Sequence, residues 1–404
     1  MPAINGKHIA SMLESKGSDW TLDHLGNALE DRTLSPDDFS FKDIFENVVP
    51  NGREMVRFFN PNSKSGGFVR GDAREAADAI SSSMFSNIIG QLIYNKIMAN
   101  ASGEENYFSQ LVPNVTTMFN GERIPGLGDM GDTAGEVQEG KPYPMAGLSE
   151  DWQDTPITVK RGHIAPVTKE AIFFDRTSMV LRSAGEVGTW LGTNKEKRLI
   201  DALIDASGRT TAHRHKWRGT SYANFQASTP WINLKTSNAL ADFASINLAE
   251  QQVAGLTDPN TKEPMPLLMT DLIVTPENRA NAYRILNTSA VTQAAGGFNA
   301  ASTVYQSISP SPVGNTPFSS TYRVICSRLL AARMTLNSAE PTTSWLTARV
   351  AEALVYMQNW PITVQQATGD SQVAFERDIV AQFKASERGA AYVIQPRYLQ
   401  INRA

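Results

Sequence analysis

Cysteine is almost absent from this sequence. Cys326 is the only one among 404 residues, which excludes an internal disulfide framework and a metal site built from several cysteines. Because Cys326 lies in an apolar, strand-like run from Tyr322 to Leu330, we expect a buried thiol with a structural role.

Long hydrophobic runs are also missing. No stretch approaches the roughly 18 consecutive apolar residues that a membrane span needs. The N-terminal segment MPAINGKHIASMLESKG has no apolar core of the signal-peptide type. We therefore expect a protein that is made and folded in a cytoplasm and that contacts no membrane.

Charged residues are scarce. They make up 19% of the chain, below the roughly 25% of typical soluble domains, and uncharged polar residues take their place. This composition favours a surface that contacts other proteins. The net charge of −4 argues against tight sequestration of nucleic acid, which needs many contacts from Lys and Arg to phosphates.

The chain is long enough for two or three domains, each with its own core. Residues 1–70 are polar and broken, so we expect an extended arm with brief helices. A helix is predicted next, with Asp72 and Glu75 placed for a capping box. Its apolar residues recur at helical spacing, at Ile80, Met84, Phe85, Ile88, Ile89, Leu92, Ile93 and Ile97.

Residues 119–151 contain so much glycine and proline that they cannot form a core of their own. Strand-like runs flank them, from Val112 to Phe119 and from Ile157 to Val167. We interpret the whole as a long β-hairpin that projects from the body and is held by a neighbouring subunit.

A long helix is predicted from Asp175 to a C-terminal cap at Gly208. Some thirty residues at about 1.5 Å each give a rod of roughly 45 Å, which indicates an architectural spine. The residues expected on its buried face are Val180, Ala184, Val187, Leu191, Leu199, Ala202, Leu203 and Ala206.

Short helices and strands alternate after this spine. A helix is predicted from Asn238 to Gln252, and another is capped by Thr275 with Pro276 at its first position. The strands are expected at Leu268 to Thr275, Tyr322 to Leu330, Trp345 to Val350 and Trp360 to Gln366. A strand pair from Phe375 to Ile401 closes the chain, with a turn at Glu387 to Gly389.

Two glycine patterns resemble nucleotide-binding loops. GLGDMG, with Gly126, Gly128 and Gly131, has the dinucleotide spacing, but it lacks the preceding buried strand and the following helix. GEVQEGKP resembles a phosphate loop as far as Lys141, but Pro142 stands where a Ser or Thr would bind magnesium. These patterns motivate a second hypothesis, a nucleotide-dependent enzyme.

His213 and His215 are spaced to lie on one face of a strand as metal ligands. Four basic residues disfavour a bound cation there, namely Arg209, Arg214, Lys216 and Arg218. A solvated basic loop that meets DNA or a neighbouring subunit is the better interpretation. No metal or cofactor is predicted, and no nucleophile, base and oxyanion hole assemble into a catalytic set.

Five stretches of the sequence are similar to elements of one known family. GEVQEGKPYP, VKRGHIAPVTKEAIFFD and VGTWLGTNKEKRLIDAL resemble its extended loop, return strand and spine helix. TDLIVTPENRANAYRIL and FERDIVAQFKASERGAAYVIQPRYL resemble the strand–helix step after the spine and the C-terminal end. Over roughly residues 110–404, this order resembles the Hong Kong 97-type fold of tailed-bacteriophage major capsid proteins.

The resemblance implies an α+β fold with an N-terminal arm, an extended β-hairpin loop, a long spine helix, and peripheral and axial domains. The expected division is an arm (1–75), an arm helix with the start of the peripheral domain (76–118), the extended loop (119–165), the peripheral domain with the spine helix (166–235), the axial domain (236–350) and C-terminal strands returning to the peripheral domain (351–404).

The function implied is a shell protein without enzymatic activity. It would self-assemble as hexamers and pentamers into the icosahedral capsid of a tailed phage, in the host bacterial cytoplasm, and would stay in the virion. Its partners would be portal, scaffolding and decoration proteins, and packaged double-stranded DNA through weak non-specific contact. An encapsulin-type compartment shell protein is an alternative, although the arm and the long middle loop argue against it.

Two sets of contact residues follow from these expectations. The extended loop would contact neighbouring subunits through Gly126, Gly128, Gly131, Glu139, Lys141, Tyr143 and Met145. The basic residues Arg209, Arg214, Lys216 and Arg218 would face the lumen or an interface. Some family members form a covalent Lys–Asn crosslink, and Lys141 leaves that chemistry open because no Asn and Glu partners are identified by motif.

Overall fold

A computed structural model describes residues 6–31, 41–48, 83–103, 106–125, 137, 139–140, 152–168, 179–205, 215–258, 262, 264–265, 267–287, 322–337, 341–368 and 379–404. Helices and strands are mixed throughout, as the expected α+β class requires. The chain divides into two compact units. The first is drawn from 1–106, 159–195 and 359–388, and the second from 107–158, 196–358 and 389–404.

Among the described residues up to 103, there are four helices: α1 (Gly6–Lys16), α2 (Ser18–Glu30), α3 (Phe41–Val48) and α4 (Ser83–Ala101). Helix α1 contacts α2 and α3, and α4 also contacts α2 and α3. Ile9, Leu25 and Ile44 are buried in these contacts. The expected brief helices are present, and in the described residues they pack against one another; the N-terminal arm at 1–75 stays a prediction.

Helix α4 confirms the apolar stripe where it is described. Ile88, Leu92, Ile93 and Ile97 are all buried, as the helical spacing predicts. The predicted capping box at Asp72 and Glu75 lies outside the described residues.

The spine helix is α6 (Met179–Leu203), which follows the short helix α5 (Tyr107–Leu111). It has 25 residues, or about 38 Å at 1.5 Å per residue, and it ends before the predicted cap. Both Asp175 and Gly208 lie outside the described residues. The predicted buried face is confirmed at Ala184, Leu191, Leu199, Ala202 and Leu203.

Glycines on α6 bring it into backbone contact with α4. A Cβ at Gly188 would lie 2.2 Å from the Ile97 carbonyl oxygen, and one at Gly192 would lie 2.2 Å from that of Ala101. Real side chains cannot approach a backbone so closely, so only glycine permits this separation of the two helices. The sequence-based buried face did not include these positions.

The first sheet has the order β1-β11-β12-β4. Its strands are β1 (Asn114–Thr116), β4 (Val159–Thr168), β11 (Leu354–Thr368) and β12 (Ile379–Val393). Strand β1 runs parallel to β11, and β4 lies at the opposite edge. The two runs that were expected to form the arms of one hairpin are therefore not paired with each other.

The turn predicted at Glu387 to Gly389 is wrong, because β12 runs through it. Gly389 is needed there for another reason: a Cβ on it would lie 2.6 Å from the Tyr356 hydroxyl oxygen. The chain turns later, at the 3₁₀ helix Pro396–Tyr398.

The second sheet has the order β7-β13-β10-β8-β9. These strands are β7 (Leu234–Lys235), β8 (Asp271–Val274), β9 (Arg323–Cys326), β10 (Trp345–Ala348) and β13 (Leu399–Asn402). Strand β10 is antiparallel to β8 and β13, while β8–β9 and β13–β7 are parallel. Both faces are covered, which explains the near-continuous apolar runs in the central strands.

Helices cover the two faces of the second sheet. On one face, α7 (Phe243–Ala254) and α8 (Arg279–Asn287) share a core with Leu272 and Trp345. On the other, the end of α6 and α9 (Arg328–Asn337) share a core with Ile273 and Leu346. A further short helix, α10 (Val350–Ala353), follows β10.

Three sequence-based boundaries in this region are corrected. The run from Tyr322 to Leu330 is not one strand, because β9 ends at Cys326 and α9 begins at Arg328. Thr275 does not cap α8, because the helix begins only at Arg279; the Thr275 hydroxyl donates to the Thr342 carbonyl at 2.8 Å. Helix α7 begins after Asp242, whose carboxylate accepts from two N–H groups of its first turn.

The third sheet is antiparallel, in the order β2-β3-β5-β6. Its strands are β2 (Arg123–Pro125), β3 (Trp152–Asp154), β5 (His215–Trp217) and β6 (Thr220–Tyr222). Arg218 and Gly219 both have positive φ, 49° and 78°, as the tight turn of a two-residue hairpin requires.

Candidate assembly surfaces

The base of the predicted extended loop is the β2–β3 ladder. Arg123 pairs with Asp154 and Pro125 with Trp152, so the chain enters and leaves the segment 126–151 through adjacent strands. A hairpin is therefore present at the base of the loop, but it is formed by strands that the sequence analysis did not identify.

Most of the residues predicted to contact neighbouring subunits lie outside the described residues. This applies to Gly126, Gly128, Gly131, Lys141, Tyr143 and Met145. Glu139 is described and is exposed, at a turn beside Gly140, whose φ is +83°. The intersubunit role of all seven stays a prediction.

Ion pairs fix the base of the loop. The Asp154 carboxylate lies 3.0 Å from Arg123 Nε and 3.3 Å from Lys216 Nζ, and both cations lie over the Trp152 ring. The hydrogen bond from Arg123, assisted by Lys216, lowers the pKa of Asp154 below its ordinary 3.8, although burial acts in the opposite direction. The loop thus starts from an anchored pair of strands.

The basic segment is only partly a solvated loop. Lys216 lies in β5, is half-buried and is paired with Asp154, which corrects its predicted position. Arg218 is exposed at the β5–β6 turn and lies over the Trp217 ring at 4.7 Å. Arg209 and Arg214 lie outside the described residues, and the lumenal or interface role of the set stays a prediction.

His215 is buried in β5, so it is not a surface ligand. Burial, and to a smaller extent the charge of Arg397, lowers its pKa from 6.5 to about 3, against a hydrogen bond to the Val393 carbonyl. The imidazole is therefore neutral at physiological pH. Among the described residues, no group of three or more His, Cys, Asp or Glu side chains is arranged to bind a metal ion, and His213 is not among them.

Buried carboxylates of the second unit are committed to structural contacts. Asp201 binds Arg333 through two hydrogen bonds of 2.6 Å. Asp271 accepts from Arg323 at 2.6 Å and from the N–H of Val350 at 2.9 Å. Such satisfied buried charges hold elements in register, and removing one partner is strongly destabilising.

The outward face of α7 carries no charge. Its exposed residues are Phe243, Ala244, Asn247, Leu248, Gln251 and Ala254. Helices that face water usually carry charged residues on the outer side, and depletion of charge is typical of the core of a protein–protein interface. This face is a candidate contact surface that the sequence analysis did not single out.

The turn between β1 and β2 exposes two large apolar side chains. Met118 is 98% exposed and Phe119 is 66% exposed. The strand predicted from Val112 to Phe119 gave no sign of this surface, because a turn has no periodic pattern that separates outward residues from inward ones.

Within the part of the chain that the structure describes, no helix is both long enough and apolar enough to cross a bilayer.

Three solved structures are among those similar to this chain. The virus-like particle from Pyrococcus furiosus is 10% identical, with 77% of this chain and 98% of that chain covered and a TM-score of 0.41. The Mycobacterium phage Che8 structure is 16% identical (73% and 90% covered, TM-score 0.40). The capsid of the native GTA particle is 10% identical (75% and 91% covered, TM-score 0.45).

TM-scores below 0.5 do not by themselves establish a shared fold, so the family assignment rests on the sequence. A comparison of this sequence with curated proteins found no match. The family model described as "Phage capsid protein" matches residues 153–402, a span that includes the spine helix and the whole second sheet. Because this match covers well over half of the chain, the chain belongs to the phage capsid protein family.

Proposed function

We propose that this protein adopts the Hong Kong 97-type arrangement and assembles as hexamers and pentamers into an icosahedral shell around the double-stranded DNA of a tailed phage. As a member of its family it is a major capsid protein and a component of the phage shell. The family match over residues 153–402 is the observation that carries the proposal. This family match does not favour either alternative, the encapsulin-type compartment shell or the nucleotide-dependent enzyme.

Several features support the finer arrangement. Helix α6 is about twice the average helix length, and paired strands form the base of the loop segment. The proposed division is the arm at 1–75, the arm helix at 76–118, the extended loop at 119–165, the peripheral domain at 166–235, the axial domain at 236–350 and the returning strands at 351–404.

The extended loop is proposed to contact neighbouring subunits through the residues from Gly126 to Met145 named above. Backbone N–H and C=O groups of a Gly- and Pro-rich segment need hydrogen-bond partners, and a neighbouring subunit can supply them. The ion pairs of Asp154 at the loop base support this proposal, because a fixed base limits the entropy that is lost when the loop binds.

A weak contact with DNA is proposed for the basic segment. Arg218, which is exposed, is the described residue proposed to make this contact, together with Arg209 and Arg214 in the sequence. The charge of Lys216 is neutralised by Asp154, which lowers the number of phosphate contacts this surface could make. Few such contacts agree with the acidic net charge of the chain.

Further partners and the place of assembly complete the proposal. We propose that the shell forms in the host bacterial cytoplasm with portal, scaffolding and decoration proteins. We also propose that the subunit catalyses no reaction, since the buried carboxylates described above are paired with arginines.

Velocity sedimentation of the full chain tests the shell function. We expect large closed particles, and cryo-electron microscopy would show their symmetry and whether they contain DNA or protein. A small monomer that binds ATP or NAD would contradict the proposal. Particles filled with a cargo protein would instead favour the encapsulin-type alternative.

Deletion of residues 126–145 tests the role of the loop. A short Gly-Ser linker can join the two strands, because Pro125 and Trp152 are paired neighbours. We expect a folded subunit, with an unchanged circular dichroism spectrum, that assembles poorly. Closed particles formed at the wild-type concentration would show that this segment does not hold neighbouring subunits.

A further inference from the structure

The exposed apolar patch near the loop base consists of Val115, Met118, Phe119 and Ile157. Their exposed fractions are 48%, 98%, 66% and 62%. Scattered hydrophobic side chains on a surface are common, but a group on neighbouring segments marks a contact site. The patch belongs entirely to the second unit.

Hydrogen bonds hold the segments that carry the patch. The Asn120 side-chain oxygen accepts from the N–H and the hydroxyl of Thr158, at 3.1 and 3.0 Å. Glu122 and Thr155 exchange two further bonds, of 2.7 and 2.8 Å. The N–H of Thr117 also donates to the Gln358 carbonyl at 3.0 Å. Because these bonds hold the backbone on both sides of Met118 and of Ile157, binding requires little ordering of the backbone.

The patch is continuous with the base of the extended loop. Met118 and Phe119 precede β2, and Ile157 follows β3. These are the two strands through which the chain enters and leaves the segment that the proposed function assigns to contacts between subunits.

We propose that the patch inserts into a recess on a second copy of this chain. The inference rests on the proposed function, because a shell built from one chain offers copies of that chain as the partner. The proposed hexamers and pentamers are rings, in which each subunit presents two different surfaces to its two neighbours. The contact is therefore heterologous, so that the patch of one copy meets a different surface of the next, and such contacts close into rings when the rotation allows it.

A double variant tests the energetic part of the proposal. In M118S/F119S the backbone hydrogen bonds of the turn are kept and the apolar contact is lost. We expect the minimum concentration for assembly to rise roughly a hundredfold, since burial of each such side chain is worth at least about tenfold in a binding constant. The matched control is Leu336→Ser, the same kind of change at a residue that is 69% exposed on α9, and it should assemble like the wild type.

A photo-crosslinking residue at position 118 of the full chain tests the geometry. A heterologous contact links each copy to the next, so irradiated assemblies should give a ladder of dimers, trimers and larger oligomers in denaturing gels. Dimers alone would indicate an isologous contact and would overturn the proposal. Crosslinks to a different protein instead of a second copy would overturn it as well.

The outcomes separate this proposal from the function on which it rests. Wild-type particles together with normal assembly of M118S/F119S would refute the patch and leave the shell function intact. An equal defect in Leu336→Ser would also refute it, since the loss would then reflect apolar surface in general. A wild-type chain that remained a small species under all conditions would refute both.

Discussion

Replacing Glu196 by alanine tests whether the spine helix holds α5 in place. Glu196 is fully buried, and its two carboxylate oxygens accept from the N–H groups of Phe108 and Ser109, each at 2.8 Å. These N–H groups lie in the first turn of α5, where an α-helix offers them no acceptor of its own. The negative charge also suits the positive end of the helix dipole.

The expected loss of stability follows from these contacts. The Phe108 N–H is buried and the Ser109 N–H is partly buried. A buried donor left without an acceptor costs about 1–3 kcal/mol and a partly buried one costs less, and the truncated side chain adds a cavity. Removing a buried charge recovers part of its desolvation cost, so we expect Glu196→Ala to lower the free energy of unfolding by about 3 kcal/mol. At roughly 2–4 °C per kcal/mol for a unit of this size, the melting temperature should fall by about 6–12 °C.

The assay is urea denaturation of the unassembled full chain, followed by circular dichroism. Glu186→Ala is the matched control, because Glu186 lies on the same helix but is exposed, 3.8 Å from Arg182. An exposed pair of this kind contributes less than about 0.5 kcal/mol. Glu196→Gln keeps one acceptor and should lie between the two. If Glu196→Ala were no less stable than Glu186→Ala, the two N–H groups would have other partners and the reasoning would be wrong.

Two further substitutions test the packing and the buried histidine. Gly188→Ala would place a Cβ 2.2 Å from the Ile97 carbonyl oxygen, so we expect helix α4 to become sensitive to limited proteolysis. Gly103→Ala is the control, because its Cβ would meet no atom nearer than 3.6 Å, and this variant should stay resistant. Burial holds the pKa of His215 at about 3 in the folded protein, against 6.5 ordinarily, so the unfolded chain binds the proton first as the pH falls. The wild type should therefore lose stability below pH 6.5 more steeply than His215→Gln, by up to about 1.4 kcal/mol per pH unit, and equal slopes in denaturation series from pH 7 to 5 would contradict this.

The elements with a strong hydrophobic period could be predicted from the sequence. The stripe of α4 and the buried face of α6 were both identified, because core contacts impose a helical spacing on the residues that make them. Strand β10 was also identified within a few residues. In each case the information is local to one element.

Features that depend on a distant partner could not be predicted. Gly389 follows two polar residues, a pattern that is common in turns. The structure shows that a glycine is needed there because the Tyr356 side chain lies against it. Glycine lowers helix stability, so the sequence alone gives no reason for Gly188 and Gly192 in α6. The structure shows that both are required because α4 approaches α6 closely at these positions. The pairing of β1 with β11 joins residues more than 200 positions apart, and nothing in either strand specifies that choice.

The candidate assembly surfaces differ in how much of them the sequence can show. The glycine-rich loop was found from composition alone, because a segment without core residues needs an external partner. The uncharged face of α7 becomes visible only after the helix register is known, since charged residues do occur elsewhere in that region. Met118 and Phe119 have neither a period nor an unusual composition, and only the fixed turn shows that they point outward. Exposure in the folded subunit is therefore the observation that identifies candidate surfaces of this kind.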